Sequence, residues 1–325
     1  MKIQRTVESE PASPTPPVAP VERVVLGHSV LTVANQLGIL DQIAGAGPLT
    51  ARHVAADLDL DSAAVRVLLD ALVEIDIIER DGTNYRVHPR LPDILRQMTP
   101  ISDVLGQRIL TGAPRLSGDR PDEAGSLYEG LVGLLGEFFA DAAEEVAELL
   151  AAPELRILDV GAGAAPWSRA IARRERTCHI DAVDLPGVVD RTRRAVADAG
   201  LTDQFRCIEA DFLDAELTPR YDLVLAANIC HLFDATTTEA LIARLASTAR
   251  PAGTLAIIDT VPDHADSDRR RDAALYAAGL LTRTATGRVH TVDDYTCWLR
   301  HAGAVEITRQ DCGRFPTTVI RAQMG

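Results

Sequence analysis

From residue 155 the chain alternates short apolar runs with helix-length stretches. That rhythm leaves little choice but a parallel sheet with helices on both faces. The runs LRILDV (155–160), HIDAVD (179–184), QFRCIE (204–209), YDLVLAA (221–227) and TLAIID (254–259) are strand-length. Helices are expected near 166–174, 187–199, 236–249 and 269–283. After a further helix at 293–302, AVEITRQ and FPTTVIRAQ are joined by only Asp-Cys-Gly-Arg. That link is too short for a parallel crossover, so the pair is antiparallel. The predicted class is α/β: a doubly wound, mostly parallel sheet of seven strands with an antiparallel last strand.

In open α/β sheets ligands sit beyond the carboxyl ends of the strands, so chemistry is expected at those ends. The first strand runs into DVGAGAAP, where Gly161 and Gly163 permit a tight turn and close approach of a ligand to the backbone. The second ends at Asp184, a carboxylate able to accept hydrogen bonds from ribose hydroxyls. The third is followed by Asp211 and Phe212 in EADFLD, an acid and a ring that suit the amino group and face of an adenine. Ala164, Ala165 and Pro166 stand where a dinucleotide fingerprint has its third glycine, which counts against NAD.

The fourth run ends in LVLAANICHLFDA (223–235), with His231 three residues beyond Asn228. His231 reads either as a general base at the mouth of the crevice or as a packed histidine closing a strand. Cys230, its neighbour, would point to the opposite side and is not expected to be a nucleophile.

The first part of the chain has another pattern. Residues 8–20, ESEPASPTPPVAP, are proline-rich and short of bulky apolar groups, and a disordered tail is expected over 1–20. Residues 21–112 read as helices followed by a hairpin, a winged helix. Thr50 and either Asp61 or Ser62 are the expected helix caps, and Asp81-Gly82 is the hairpin turn. Over residues 50–90 five arginines face eight acids, a net −3, and the whole chain carries −14. Phosphate attraction is missing, so nucleic acid is not an expected partner, nor is an anionic membrane surface. Residues 113–152 are expected as a helical linker or lid, with Phe138 and Phe139 in its core rather than in a pocket. Five cysteines without a CxxC pair, no apolar run long enough to span a membrane and no signal-peptide core make a cytoplasmic protein the expectation.

ILDVGAG, VDLPGVV, EADFLD, ANICHLFD and RPAGTLAIID together resemble, in order and spacing, the plant-type S-adenosylmethionine-dependent O-methyltransferases, which include bacterial natural-product enzymes. The stretch from LGILDQI to LVEIDIIE is similar to that family's winged-helix dimerisation domain. The resemblance covers roughly residues 21–325. It implies a class I methyltransferase domain over 153–325, S-adenosyl-L-methionine as cofactor, a small acceptor molecule, often aromatic, and a homodimer through residues 21–112. By the same resemblance Gly161 lies against the methionine part, Asp184 and Leu185 hold the ribose, Asp211 and Phe212 hold the adenine, His231 is the base, and Asp259 stands where the family has a glutamate beside it. The pattern departs at Ala165, at Trp167, at Ala227 in place of a common lysine, and at Leu232, where relatives that methylate carbon with a metal have an acid. Those relatives leave a second reading, carbon methylation with His231, Asp259 and His290 around a metal. A third is recruitment of the scaffold to other chemistry. No metal is expected in the leading one.

Overall fold

The structure is a computed structural model and describes residues 18–98, 101–114, 139–215, 221–313 and 315–325, together with 117, 118, 120, 123 and 217. The chain divides into two units, one up to residue 100 and one from 101 onward. The expected first domain, 21–112, runs twelve residues past this division.

In the first unit α1 (Val18–Gln36) leads into α2 (Ile39–Ala46), β1 (Leu49–Thr50), α3 (Ala51–Asp57), α4 (Ser62–Glu74), β2 (Glu79–Asp81), β3 (Asn84–Arg86) and α5 (Leu91–Met98). Helix α1 begins within the expected tail, with Pro20 in its first turn, where a missing N–H costs no helical bond. The rest of that tail, 1–17, lies outside the described residues. The expected caps are in place: Thr50 accepts from the amide of His53, and Asp61 from that of Ala64. The hairpin turns at Gly82, whose φ of 59° suits the first central position of a II′ turn. The three strands pair in the order β1-β3-β2, all antiparallel. Ile39, Leu40, Ile43, Val54, Leu69 and Leu72 form the core. Helix α1 also carries Val24, Val25, Leu26 and Val33 outward, with Leu37 exposed just beyond its end, and among its described side chains only Ala34 is buried.

The second unit contains α6 (Ile101–Thr111), α7 (Ala140–Leu150), β4 (Arg156–Val160), α8 (Pro166–Arg174), β5 (His179–Asp184), α9 (Val189–Asp198), β6 (Phe205–Glu209), β7 (Tyr221–Ala227), α10 (Ala235–Thr248), β8 (Ala249–Thr260), α11 (Ser267–Leu280), α12 (Val292–His301), β9 (Ala304–Cys312) and β10 (Thr317–Met324). Seven strands pair in the order β6-β5-β4-β7-β8-β10-β9. The first five are parallel; β10, last in the chain, slots between β8 and β9 and is antiparallel to both. Successive residues of the central strands serve opposite faces. Ile157, Leu223, Leu225, Ala256 and Ile258 pack on one side under α7 and α8, while Leu158, Val224, Leu255 and Ile257 pack on the other under α10 and α12. Burial on both faces is why these strands read as unbroken apolar runs.

Phe139 and Trp167 meet in the first of these cores, with ring centroids 5.3 Å apart. Phe139 is thus core, as expected; Phe138 lies outside the described residues, as does most of the expected linker. Among the described residues no single helix is long and apolar enough to cross a membrane.

Candidate active site

The strand order reverses between β4 and β7, which puts a crevice beyond their carboxyl ends. The loop after β4 lines one wall. Its amides at Gly161 and Ala162 bond to the carbonyl of Val183 at the end of β5. Gly161, Gly163 and Ala165 all take positive φ (64°, 57° and 52°), a sequence of left-handed residues that bends the loop sharply before α8. A Cβ at Gly161 would lie 2.4 Å from Ile229 Cγ2 and 3.6 Å from Phe212 Cε1. The loop therefore packs directly against the segments after β7 and β6.

Asp184 is 6 % exposed and accepts from the amides of Gly163 (2.7 Å) and Leu185 (2.8 Å). Burial pushes its carboxyl up to about 6 against the pull of these amides. Leu185 is half-buried beside Ala164 and Val188. Asp211 turns one carboxylate oxygen to the amide of Leu213 (2.9 Å), and Phe212 is 6 % exposed. Asp159, the penultimate residue of β4, was not singled out in the sequence. It is fully enclosed, holds the Ser168 hydroxyl at 2.5 Å through Oδ2, and leaves Oδ1 without a hydrogen-bond partner. Desolvation, offset in part by Ser168, raises its carboxyl to about 7.

The other wall is built at the end of β7. Asn228 takes the left-handed conformation (φ 55°), which asparagine tolerates, and its amide bonds the carbonyl of Ile258 on β8. The chain then folds into a single tight turn, residues 230–232, which lays His231 over the end of β8. There Asp259 grips it twice. Oδ2 accepts from the backbone amide of His231 at 3.1 Å, and Oδ1 faces Nδ1 of the ring at 2.5 Å. Both residues are buried, His231 at 2 % exposure and Asp259 at 0 %. The amide of Thr260 and the hydroxyl of Tyr295, each at 2.8 Å, complete the coordination of the carboxylate. Burial pushes the Asp259 carboxyl up, but the imidazole's charge and hydrogen bond, with those of Tyr295 and Thr260, hold it below the usual carboxylate range. An ionised carboxylate only accepts, so Nδ1 carries the proton and Nε2 the lone pair.

Sequence reasoning missed three supports of this pair. Tyr295, on α12, holds Asp259, and Tyr276, on α11, places its hydroxyl 2.8 Å from His231 Nε2. Gly287 lies so close to the carbonyls of His231 and Leu232 that a Cβ would stand 2.6 and 2.8 Å from them. Tyr276 is the sole aromatic residue of α11, a faint signal that only the packing of that helix makes readable.

The His231, Asp259 and His290 set is not gathered around a common point. His290 is wholly buried, and its Nε2 lies 3.1 Å from the Thr238 hydroxyl and 3.2 Å from the Phe233 carbonyl. Among the described residues no cluster of three or more His, Cys, Asp and Glu is arranged to hold a metal ion. Cys230 is wholly buried and its thiol is pushed well above its usual range, first by burial and then by the charge of Asp259, so it is no thiolate nucleophile.

Residues 141–304 match the family described as O-methyltransferase domain, and residues 25–96 the one described as O-methyltransferase dimerisation domain. The chain belongs to the O-methyltransferase family. It is 28 % identical over 308 residues to the 3-hydroxy-5-methyl-1-naphthoate 3-O-methyltransferase of Streptomyces sahachiroi, covering 85 % of this chain and 86 % of that one. It is 27 % identical over 316 residues to the tetracenomycin polyketide synthesis 8-O-methyl transferase TcmO of Streptomyces glaucescens, covering 86 % and 88 %. The fold superimposes on human N-acetylserotonin methyltransferase in complex with S-adenosylmethionine with a TM-score of 0.72 at 22 % identity, over 97 % of this chain and all of that one.

The family's cofactor is S-adenosylmethionine, and the crevice suits it. A left-handed loop brings main chain to the opening, Asp184 supplies a buried carboxylate, and the unpartnered Oδ1 of Asp159 is a buried acceptor waiting for a donor.

Proposed function

We propose that this O-methyltransferase acts on a phenolic hydroxyl of a fused-ring aromatic natural product, with His231 as general base and Asp259 as the group that orients it. The buried His231–Asp259 pair, one turn from the Ile229 side chain that touches the cofactor loop, carries the reading. The relatives support the acceptor class, since one is named for a hydroxynaphthoate and another for a polyketide.

When bound, S-adenosylmethionine supplies a sulfonium methyl, an electrophile that needs alignment and dryness more than activation. On this reading Asp184 and Leu185 hold the ribose, Asp211 and Phe212 the adenine, and Gly161 and Gly163 let the backbone close on the methionine part. Asp159 Oδ1 is positioned to accept from its ammonium. A phenol has a pKa near ~10 and is a poor nucleophile until its proton leaves. His231 is the base that ends the step protonated at Nε2, and the Asp259 carboxylate fixes the Nδ1–H tautomer and stabilises the imidazolium that forms. Carbon methylation through a metal lacks its ligand set, because His290 is turned onto Phe233 and Thr238.

The outward apolar side chains of α1 fit a homodimer through the dimerisation domain, since a helix exposing Val24, Val25 and Leu26 needs a partner surface.

Purified protein incubated with S-adenosylmethionine and 3-hydroxy-5-methyl-1-naphthoate should give the methyl ether, identified by product NMR. His231→Ala should lose roughly 10²–10⁴-fold in rate, the usual contribution of a general base, while still binding S-adenosylhomocysteine. A His231→Ala protein as fast as wild type would sink the assignment.

A further inference from the structure

His231 keeps Nε2 for chemistry, and that nitrogen already has a partner in the Tyr276 hydroxyl at 2.8 Å. Since Nδ1 holds its proton toward Asp259, the phenol is the donor in this contact. The imidazole is 2 % exposed, whereas Tyr276 is half-buried, so the tyrosine is the more accessible of the two. The tyrosine is held on several sides. Its ring stands edge-on to His231 (centroids 5.2 Å, 89°) and to Phe315 (5.5 Å, 74°), and the Arg283 guanidinium carbon lies 4.8 Å from the ring centroid. The main chain at Arg283 is held by its carbonyl, which accepts from the amide of Gly118 at 2.6 Å.

We propose that Tyr276 is a catalytic residue that passes the acceptor's proton to His231, a proposal resting on the reading of His231 as base. The acceptor hydroxyl donates to Tyr276 Oη. As the new O–CH₃ bond forms and the S–CH₃ bond breaks, its proton moves to Oη while the tyrosine proton moves to His231 Nε2. The S–C electron pair stays on sulfur. The methyl ether, a neutral thioether, a restored phenol and an imidazolium facing Asp259 remain, so atoms and charge balance.

Two features favour the relay over a tyrosine that merely plugs the base. A phenolic acceptor and a tyrosine have ordinary pKa values of about 10, so handing a proton between them costs little in either direction. A guanidinium over the ring favours the negative charge that builds on it in transit. A plug would instead have to abandon His231, Phe315 and Arg283 together in every turnover.

The test compares wild type, Tyr276→Phe and His231→Ala, each first shown to bind S-adenosylhomocysteine. Without acceptor, the ¹⁵N resonance of His231 Nε2 should move in Tyr276→Phe, reporting loss of the phenol donor; an unchanged resonance overturns the contact itself. With S-adenosylmethionine and 3-hydroxy-5-methyl-1-naphthoate, Tyr276→Phe should fall roughly 10²–10⁴-fold in kcat, the range for an acid–base group. The wild-type rate in mixed H₂O and D₂O should curve with deuterium fraction, as two moving protons require. Tyr276→Phe at or above the wild-type rate, or a straight wild-type plot, overturns the relay. With His231→Ala inactive in the same experiment, the base reading stands and only the relay falls; a fully active His231→Ala removes both.

Discussion

Replacing Asp159 with asparagine should stabilise the cofactor-free protein at pH 8 far more than at pH 5. The carboxyl is sealed at the end of β4, with Oδ2 on the Ser168 hydroxyl and Oδ1 on nothing, and burial lifts it from 3.8 to about 7. The folded chain therefore keeps this proton where the unfolded chain has lost it. The sign follows: the contribution to stability is complete below about pH 4 and disappears as pH rises through the folded value. Each pKa unit is worth about 1.4 kcal/mol, so the two units between pH 5 and about 7 amount to about 2.7 kcal/mol. Asparagine has no such proton to lose and still offers Ser168 an acceptor. Its amide at the Oδ1 side costs about 1–3 kcal/mol if unpaired, but equally at both pH values. The gap between variant and wild type should thus shift in the variant's favour by about 2.7 kcal/mol from pH 5 to pH 8. Asp184, raised to about 6, titrates in both proteins and largely cancels. Urea unfolding at the two pH values measures the gap. A gap that is the same at pH 5 and pH 8 would refute the account of an uncompensated buried carboxylate.

Gly161→Ala should cost about 2–5 kcal/mol, summing the left-handed strain at φ 64° and the overlap with Ile229, and should weaken S-adenosylhomocysteine binding in calorimetry; unaltered affinity would show that the loop does not carry the cofactor. Leu26→Asp places a charge on the outward face of α1 and should convert a dimer to monomer in sedimentation at micromolar concentration, with the fold's circular dichroism retained; an intact dimer would move the interface elsewhere.

Much of the second unit could be read from the sequence because its strands are buried on both sides. HIDAVD is β5 and YDLVLAA is β7, residue for residue. Even the antiparallel pairing of the last two strands followed from the length of one loop. Boundaries slipped where local geometry is irregular: β8 starts at Ala249, five residues before the apolar run, because Ala252 in the left-handed region and Gly253 carry the chain through a kink without ending it. Asp259 stood out through the family resemblance, which has a glutamate at that place beside the base, and the strand carrying it does lie next to that of His231. Tyr276 and Tyr295 did not, since each sits on a helix of ordinary composition and reaches the pair only through packing on the sheet. Asp159 escaped notice for the opposite reason: within an apolar run, nothing in the sequence separates an enclosed carboxylate from one at a strand's wet end. His290 looked like a ligand by residue type, yet its surroundings turn it onto main chain.

The double grip of Asp259 on His231 has a consequence for how such an enzyme diversifies. By holding both the backbone amide and the ring, the carboxylate ties the base to β8 and not to the loop that carries it. What else bears on the imidazole is confined to a few positions, Tyr276 on α11, Gly287 before α12 and Tyr295 on α12, so those are fixed while their neighbours on the same segments are free to vary. An engineer seeking a new acceptor would vary those neighbours and leave Tyr276, Gly287 and the two gripping bonds untouched.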